Sequence, residues 1–112
     1  MQSPRGGVRI TVMDSLKEKV KQILTGYAGE ALNGYSYLTT NPDESMFTVV
    51  GVGKANGRHF ATLGLAVRVT NDQIVIDQDV NDKPLVDALV QSGIPRKQIV
   101  LAYAGESGTE SN

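Results

Sequence analysis

Residues 71–103, NDQIVIDQDVNDKPLVDALVQSGIPRKQIVLAY, decide the fold. Asn71-Asp72 is a turn dipeptide, and Ile74, Val75 and Ile76 after it are β-branched residues of a strand. Asn81 or Asp82 is positioned to cap a helix, Pro84 suits its first turn, and Leu85, Ala88 and Leu89 form its apolar stripe. Gly93 ends that helix before Ile94-Pro95. Arg96-Lys97-Gln98 then leads into Ile99–Tyr103, an apolar run expected to be a buried strand.

Working backward, Asn56-Gly57 lies between two β-prone runs and is the strongest hairpin signal in the chain, because a type I′ turn needs positive φ at both central residues. A two-residue loop there pairs Gly53 with Phe60, Val52 with Ala61, Gly51 with Thr62, Val50 with Leu63, Val49 with Gly64 and Thr48 with Leu65. The Asn71-Asp72 turn likewise pairs Val69 with Ile74, Arg68 with Val75, Val67 with Ile76 and Ala66 with Asp77. Tyr35–Thr40 supplies a further strand, with Asn41-Pro42-Asp43 as its turn. With regular alternation, Val50, Val52, Leu63, Leu65, Val67, Val69, Ile74 and Ile76 form the core face. The reverse face then carries Phe47, Val49, Gly51, Gly53, Phe60, Thr62, Gly64, Ala66, Arg68, Val75, Asp77 and Asp79.

Upstream, Ser15 and Glu18 have capping-box spacing, and Leu16, Val20, Ile23, Leu24 and Tyr27 recur on one helical face. Gly26 and Gly29 weaken the end of this helix, which is expected to stop near Glu30. Residues 1–12 read as a peripheral extension, either preceding a native start at Met13 or adding an edge strand over Val8–Val12. Residues 105–112 read as a loose tail. The expectation is a single α+β domain over residues 13–104. It has an N-terminal helix, an antiparallel meander of about four to five strands, and a second helix before the last strand.

Composition limits function. A chain of 112 residues with 40% apolar and 21% charged content suits one globular domain. Eleven basic and twelve acidic side chains leave a formal charge of −1, so no global field favours duplex DNA. The chain has no cysteine, which removes disulfides, thiolate metal sites and thiol nucleophiles and fits a reducing cytoplasm. No apolar stretch approaches the roughly 20 residues of a membrane span.

Candidate chemistry is sparse. Gly51-Val52-Gly53-Lys54 lacks the spacing of a phosphate loop and lies within a hairpin strand instead of opening a helix. Gly53 is better read as making room for Phe60 across the strands. His59 is the single histidine and faces Lys54 beside the turn, without the further ligands that zinc needs. Asp77 and Asp79 could together hold magnesium, but Arg68 lies diagonally across from Asp77 and surface pairing accounts for it. No catalytic residue, metal ligand or cofactor-binding residue is assigned. The candidate working surface is a partner-binding one on the reverse face, comprising Phe47, Val49, Gly51, Gly53, Phe60, Thr62, Gly64, Val75 and Asp77. The competing reading of the same glycine-lined face is a small-ligand or nucleotide sensor.

The segments MDSLKEKVKQIL, NDQIVIDQD and LVDALVQSGIPRKQIVLAY together resemble the XisI-like proteins, a cyanobacterial family named for the controlling factor of fdxN-element excision. The third segment is the most specific, since helix, Gly-aliphatic-Pro, charged turn and Ile-Val-Leu strand occur at fixed spacing. The resemblance covers most of Met13–Tyr103. It implies a small α+β cytoplasmic protein without enzymatic activity of its own. Such a protein would act beside an XisH-like partner in DNA excision; independently of the resemblance, the exposed reverse face leads us to expect a homo-oligomer, and the near-neutral charge to expect DNA to be reached indirectly. The chain departs from the family pattern in having no tryptophan, with Ala55 or its neighbours and Val75 where the family places one. Leu63–Val69 also replaces the usual histidine and aspartate near a Gly-Cys stretch.

Overall fold

The computed structural model describes residues 12–31 and 33–107. The chain runs α1 (Val12–Thr25), β1 (Gly29–Ala31), β2 (Gly34–Thr40), β3 (Met46–Ala55), β4 (Arg58–Thr70), β5 (Gln73–Asp79), α2 (Leu85–Gln91) and β6 (Ile99–Leu101), with short 3-10 turns at Arg96–Gln98 and Ala102–Ala104. The six strands form one sheet in chain order. Five are an antiparallel meander, and β6 joins β5 in parallel after the α2 crossover. The α+β expectation holds, with one strand more than the upper expected number. The added strand is β1, formed where the first helix was expected to continue. α1 stops at Thr25, and Gly29 adopts φ 117°, which an L-residue rarely takes.

The helix also begins earlier than its capping-box signal. Ser15 lies inside α1, so it is not the N-cap, and residues 1–11, including most of the alternative edge strand, fall outside the described residues. The apolar stripe is as expected: Leu16, Val20 and Leu24 are buried, with Ile23 and Tyr27 packed against the same core. Lys17 donates to the Asp43 carbonyl at 2.9 Å and Lys21 pairs with Glu44 at 2.8 Å, fastening α1 to the β2–β3 turn. Within that turn the Asn41 Oδ1 accepts the Ser45 and Met46 backbone N–H groups, each at 3.0 Å.

Both hairpin turns form as read. Asn56 and Gly57 have φ 54° and 76°, and Asn71 and Asp72 have φ 52° and 62°. The registers nearest each turn match expectation, but each hairpin then contains a bulge. In the first, Val50 pairs with Leu63 and Val49 with Leu65, leaving Gly64 as the extra residue. In the second, Val67 pairs with Ile76 and Ala66 with Gln78, leaving Asp77 extra. The carbonyls released at the first bulge are taken by β5 and its continuation: Gln78 Nε2 donates to the Leu63 carbonyl, and the Val80 N–H donates to the Gly64 carbonyl at 3.1 Å.

The Gly64 bulge overturns the expected face assignment of β3. Pairing with Leu65 and Val67 puts Val49 and Phe47 on the helix side, and both are buried in the core, Phe47 completely. Val50, Val52 and Leu63, expected in the core, lie on the opposite side and stay partly exposed. One extra residue in one strand exchanges the faces of its partner. The finished core joins Phe47, Val49, Leu65, Val67, Val69, Ile74 and Ile76 of the sheet to Leu85 and Leu89 of α2, the α1 stripe, and Ile94 and Ile99.

α2 is capped differently from expectation. Neither Asn81 nor Asp82 caps it; instead Asp79 Oδ2 accepts the Leu85 N–H at 2.7 Å, while Asp79 Oδ1 accepts from Asn81. At the other end Gly93 (φ 104°) allows its N–H to reach the Val90 carbonyl at 3.0 Å and the Ile94 N–H to reach Leu89 at 3.1 Å. This Schellman stop buries Ile94 beside Leu89. Beyond β6, Glu106 folds back: it accepts the Leu101 N–H at 2.9 Å and pairs with Arg96 at 2.7 Å. These two contacts, the backbone one first, hold its carboxyl below the usual value.

Two outcomes follow from this packing. Phe47→Ala should lower unfolding free energy by about 3–5 kcal/mol, whereas Phe60→Ala, at an exposed site, should cost about 1 kcal/mol or less; urea unfolding of both variants checks this. Because the Glu106 pKa is depressed on folding, its stabilisation is present above the ordinary carboxylate pKa and is lost as pH falls through the lower folded value. Thermal melts from neutral to acid pH should therefore show a smaller loss for Glu106→Gln than for the parent chain.

Candidate functional site

The β3–β4 hairpin is longer than the helices that cover it. The radius of gyration is 15.8 Å, against about 13 Å for a compact chain of this length. The extents of 53 × 43 × 24 Å describe a flat body. At the far end of the hairpin both faces of the sheet are uncovered by α1 and α2, and the bulge sorts the expected surface residues between them.

On the helix side of this overhang lie Gly51, Gly53, Phe60 and Thr62, four of the nine expected partner-binding residues. A side chain at Gly51 would meet Ser36 Oγ at 3.7 Å and Thr62 Cγ2 at 3.8 Å, which places these residues on one face. Phe60 is 37% exposed and pairs across from Gly53. Gly53, however, chiefly makes room for another backbone: an added Cβ would lie 2.2 Å from the Asn33 carbonyl oxygen. Gly34, its partner in β2, is equally constrained, with the Val52 carbonyl oxygen 1.8 Å from an added Cβ. These two glycines serve the close approach of β2 to β3.

The other five expected site residues separate. Phe47 and Val49 are core residues. Val75 lies on the side of the sheet away from the helices but is buried at 4% exposure, beside Val100 of β6. Gly64 and Asp77 are the two bulge residues. Asp77 receives Arg68 in a two-pronged pair, Nε to Oδ2 at 2.7 Å and Nη2 to Oδ1 at 3.0 Å. Such a partly exposed pair contributes at most about 1 kcal/mol. With Asp77 held by Arg68 and Asp79 by the start of α2, the two carboxylates have different partners and do not converge on a metal. Among the described residues no three His, Cys, Asp or Glu side chains are grouped to bind one.

The surface missed by regular alternation is the opposite face. Tyr35 and Tyr37 stand on it at 42% and 50% exposure, with ring centroids 4.8 Å apart and planes tilted by 43°. Tyr35 lies across from Val52, and Tyr37 from Val50, which in turn pairs with Leu63. Thr39 and Thr48 share a hydroxyl hydrogen bond in the next row. Lys54 and His59 face each other one pair back from the turn, both exposed, while Arg58, paired with Ala55 nearest the turn, falls on the Phe60 side. A glycine inside a β-prone run, between residues whose burial depends on parity, is the signal that a bulge can occur at Gly64.

The depressions described lie elsewhere. One is lined by Ile23, Tyr27, Asn81, Asp82, Lys83 and Ala88, where the Tyr27 hydroxyl donates to the Lys83 carbonyl at 3.0 Å. Burial, then the Asp79 and Asp87 charges, raise the Tyr27 pKa. Another, between α1 and the β2–β3 turn, is lined by Lys17, Asn41, Asp43, Ser45 and Arg68 among others. Neither opens on the glycine-lined overhang that a ligand sensor would use. Among the described residues no helix is long and apolar enough to cross a membrane.

The same architecture occurs in solved proteins. The chain superimposes on a XisI-like protein from Anabaena variabilis with a TM-score of 0.69 at 23% identity, covering 80% of this chain and 84% of that one. It also matches the fdxN element excision controlling factor XisI of Anabaena variabilis, with a TM-score of 0.56 at 18% identity, covering 81% and 82%. None of the curated proteins compared with the chain matches it. The family model described as XisI protein matches residues 11–111, nearly the whole sequence, and the chain therefore belongs to the XisI family.

Proposed function

We propose that this protein is a non-catalytic accessory factor that controls excision of a DNA element by assembling with an XisH-like protein and with further copies of itself. Membership of the XisI family and the name of its structural relative, an excision controlling factor, support the role. The observation that carries the mode of action is the helix-side overhang, where Phe60 projects at 37% exposure beside Thr62 and the side-chain-free Gly51 and Gly53. An exposed aromatic on a flat bed of small residues is an anchor for a partner, since burying its ring against a complementary surface contributes strongly to association. Asp77 and Asp79 are occupied by Arg68 and α2, so the described carboxylates best support structural roles. Duplex DNA would be reached through the partner, in keeping with a net charge of −1.

Size-exclusion chromatography with an XisH-like protein tests this. The parent chain should co-elute with it, and Phe60→Asp should lose the complex while melting within a few degrees of the parent. Co-elution unchanged by Phe60→Asp would remove the overhang as the contact surface. Failure of the parent chain to bind any XisH-like protein would remove the partnership.

A further inference from the structure

The side of the sheet away from the helices carries charges of both signs around an apolar middle. Glu30 of β1 pairs with Tyr35, Tyr35 with Val52, and Lys54 follows Val52 by two residues, so all four side chains emerge on this face. Tyr37, Val50, Ala61 and Leu63 complete the middle, and the Tyr35 and Tyr37 rings stand above it at 42% and 50% exposure. Glu30 and Lys54 are both exposed and outside the ion pairs found among the described residues. They stand on opposite sides of Tyr35, two strand spacings or roughly 10 Å apart across the sheet. His59 lies opposite Lys54, and further along the face Arg68 and Asp77 neutralise each other.

This charge pattern discriminates among occupants. The acids Glu30 and Asp77 balance the bases Lys54 and Arg68, so the face offers a polyanion no attractive field. A partner of a single charge sign would be drawn to one side of the tyrosines and repelled from the other. An identical face, turned about a twofold axis in the plane between two stacked sheets, meets acid with base on both sides. With strands about 4.8 Å apart and alternate residues about 6.8 Å apart along each strand, the axis that exchanges Glu30 with Lys54 also lays Tyr37 over Ala61 of the second copy. The large exposed ring thus falls on the smallest side chain of the middle.

We propose that two copies of this chain dimerise back to back through this face, with Glu30 of each copy paired to Lys54 of the other and the tyrosines packed between the two sheets. The inference rests on the reading that the chain assembles with itself. It assigns that contact to the side of the sheet opposite Phe60, which leaves the overhang free for an XisH-like protein.

The test is sedimentation equilibrium of the full chain and its variants over a concentration series, with co-elution with an XisH-like protein measured on the same samples. The parent should sediment at twice its chain mass of 12.0 kDa. Glu30→Lys and Lys54→Glu should each weaken the dimer about tenfold or more, because each turns two attractive contacts per dimer into repulsive ones. The double variant Glu30→Lys/Lys54→Glu should restore it, since its charges are exchanged and not removed. Tyr37→Asp should give a monomer, and Phe60→Asp should leave the dimer intact. All these positions are exposed, so every variant should keep the far-ultraviolet circular dichroism of the parent. A parent that stays monomeric, single reversals without effect, no recovery in the double variant, or loss of the dimer in Phe60→Asp would overturn the proposal. The co-elution arm separates the two readings: a parent that dimerises but binds no XisH-like protein supports this contact and removes that partnership, and one that binds it as a monomer does the reverse.

Discussion

The single extra residue at Gly64 controls the arrangement of the sheet. It lets Val49 pair with Leu65 while Val50 pairs with Leu63, so β3 presents Phe47 and Val49 to the helices without any break in β3 itself. Releasing carbonyls from a ladder is unfavourable unless they find other donors, and both do. The Gln78 amide takes one and the Val80 N–H the other. Gln78 is available because a second bulge, at Asp77, rotates the end of β5 by one residue. That shift brings Asp79 to the helix side, where it receives the first N–H of α2. The two bulges are thus coupled: one assigns the faces of β3, and the other supplies the groups that satisfy it and start the crossover helix.

The overhang follows from the same lengths. β3 and β4 have 10 and 13 residues, whereas the covering α2 has only 7 and sits over the β5–β6 half. Beyond the core the hairpin continues as a thin ribbon that is anchored at its base by α1 and stiffened where Gly34 and Gly53 let β2 approach. Around the Asn56-Gly57 turn, residues 54–62 of this ribbon are all exposed.

Much of this architecture was legible in the sequence because its signals are local. Asn56-Gly57, Asn71-Asp72, Pro84 and Gly93 each fix a backbone conformation within a few residues, and the α1 stripe is a periodicity on one element. The family resemblance rested on that punctuated C-terminal run and holds. The bulges were less legible, because their cost and compensation are tertiary: whether Gly64 is paired or extra depends on Gln78 and Val80, which are distant in sequence. Reading the hairpin as regular moved Phe47 and Val49 to the surface and Val50, Val52 and Leu63 to the core. The shared face of Tyr35 and Tyr37 stayed hidden because β2 takes its facing from β3. The Asp79 cap escaped for a similar reason, since it acts across six residues where capping signals look only one turn ahead.

The lack of any native cysteine makes the central claim directly measurable. Val49→Cys and Val50→Cys introduce single thiols at adjacent positions that the bulge sends to opposite sides of the sheet. Under native conditions the thiol at position 50 should react with a soluble maleimide at a rate near that of an exposed thiol. The thiol at position 49 should react only through opening of the core, orders of magnitude more slowly. Rapid labelling at 49 with protection at 50 would contradict the account, because it would restore the regular register and return the tyrosine face and the core to each other's places.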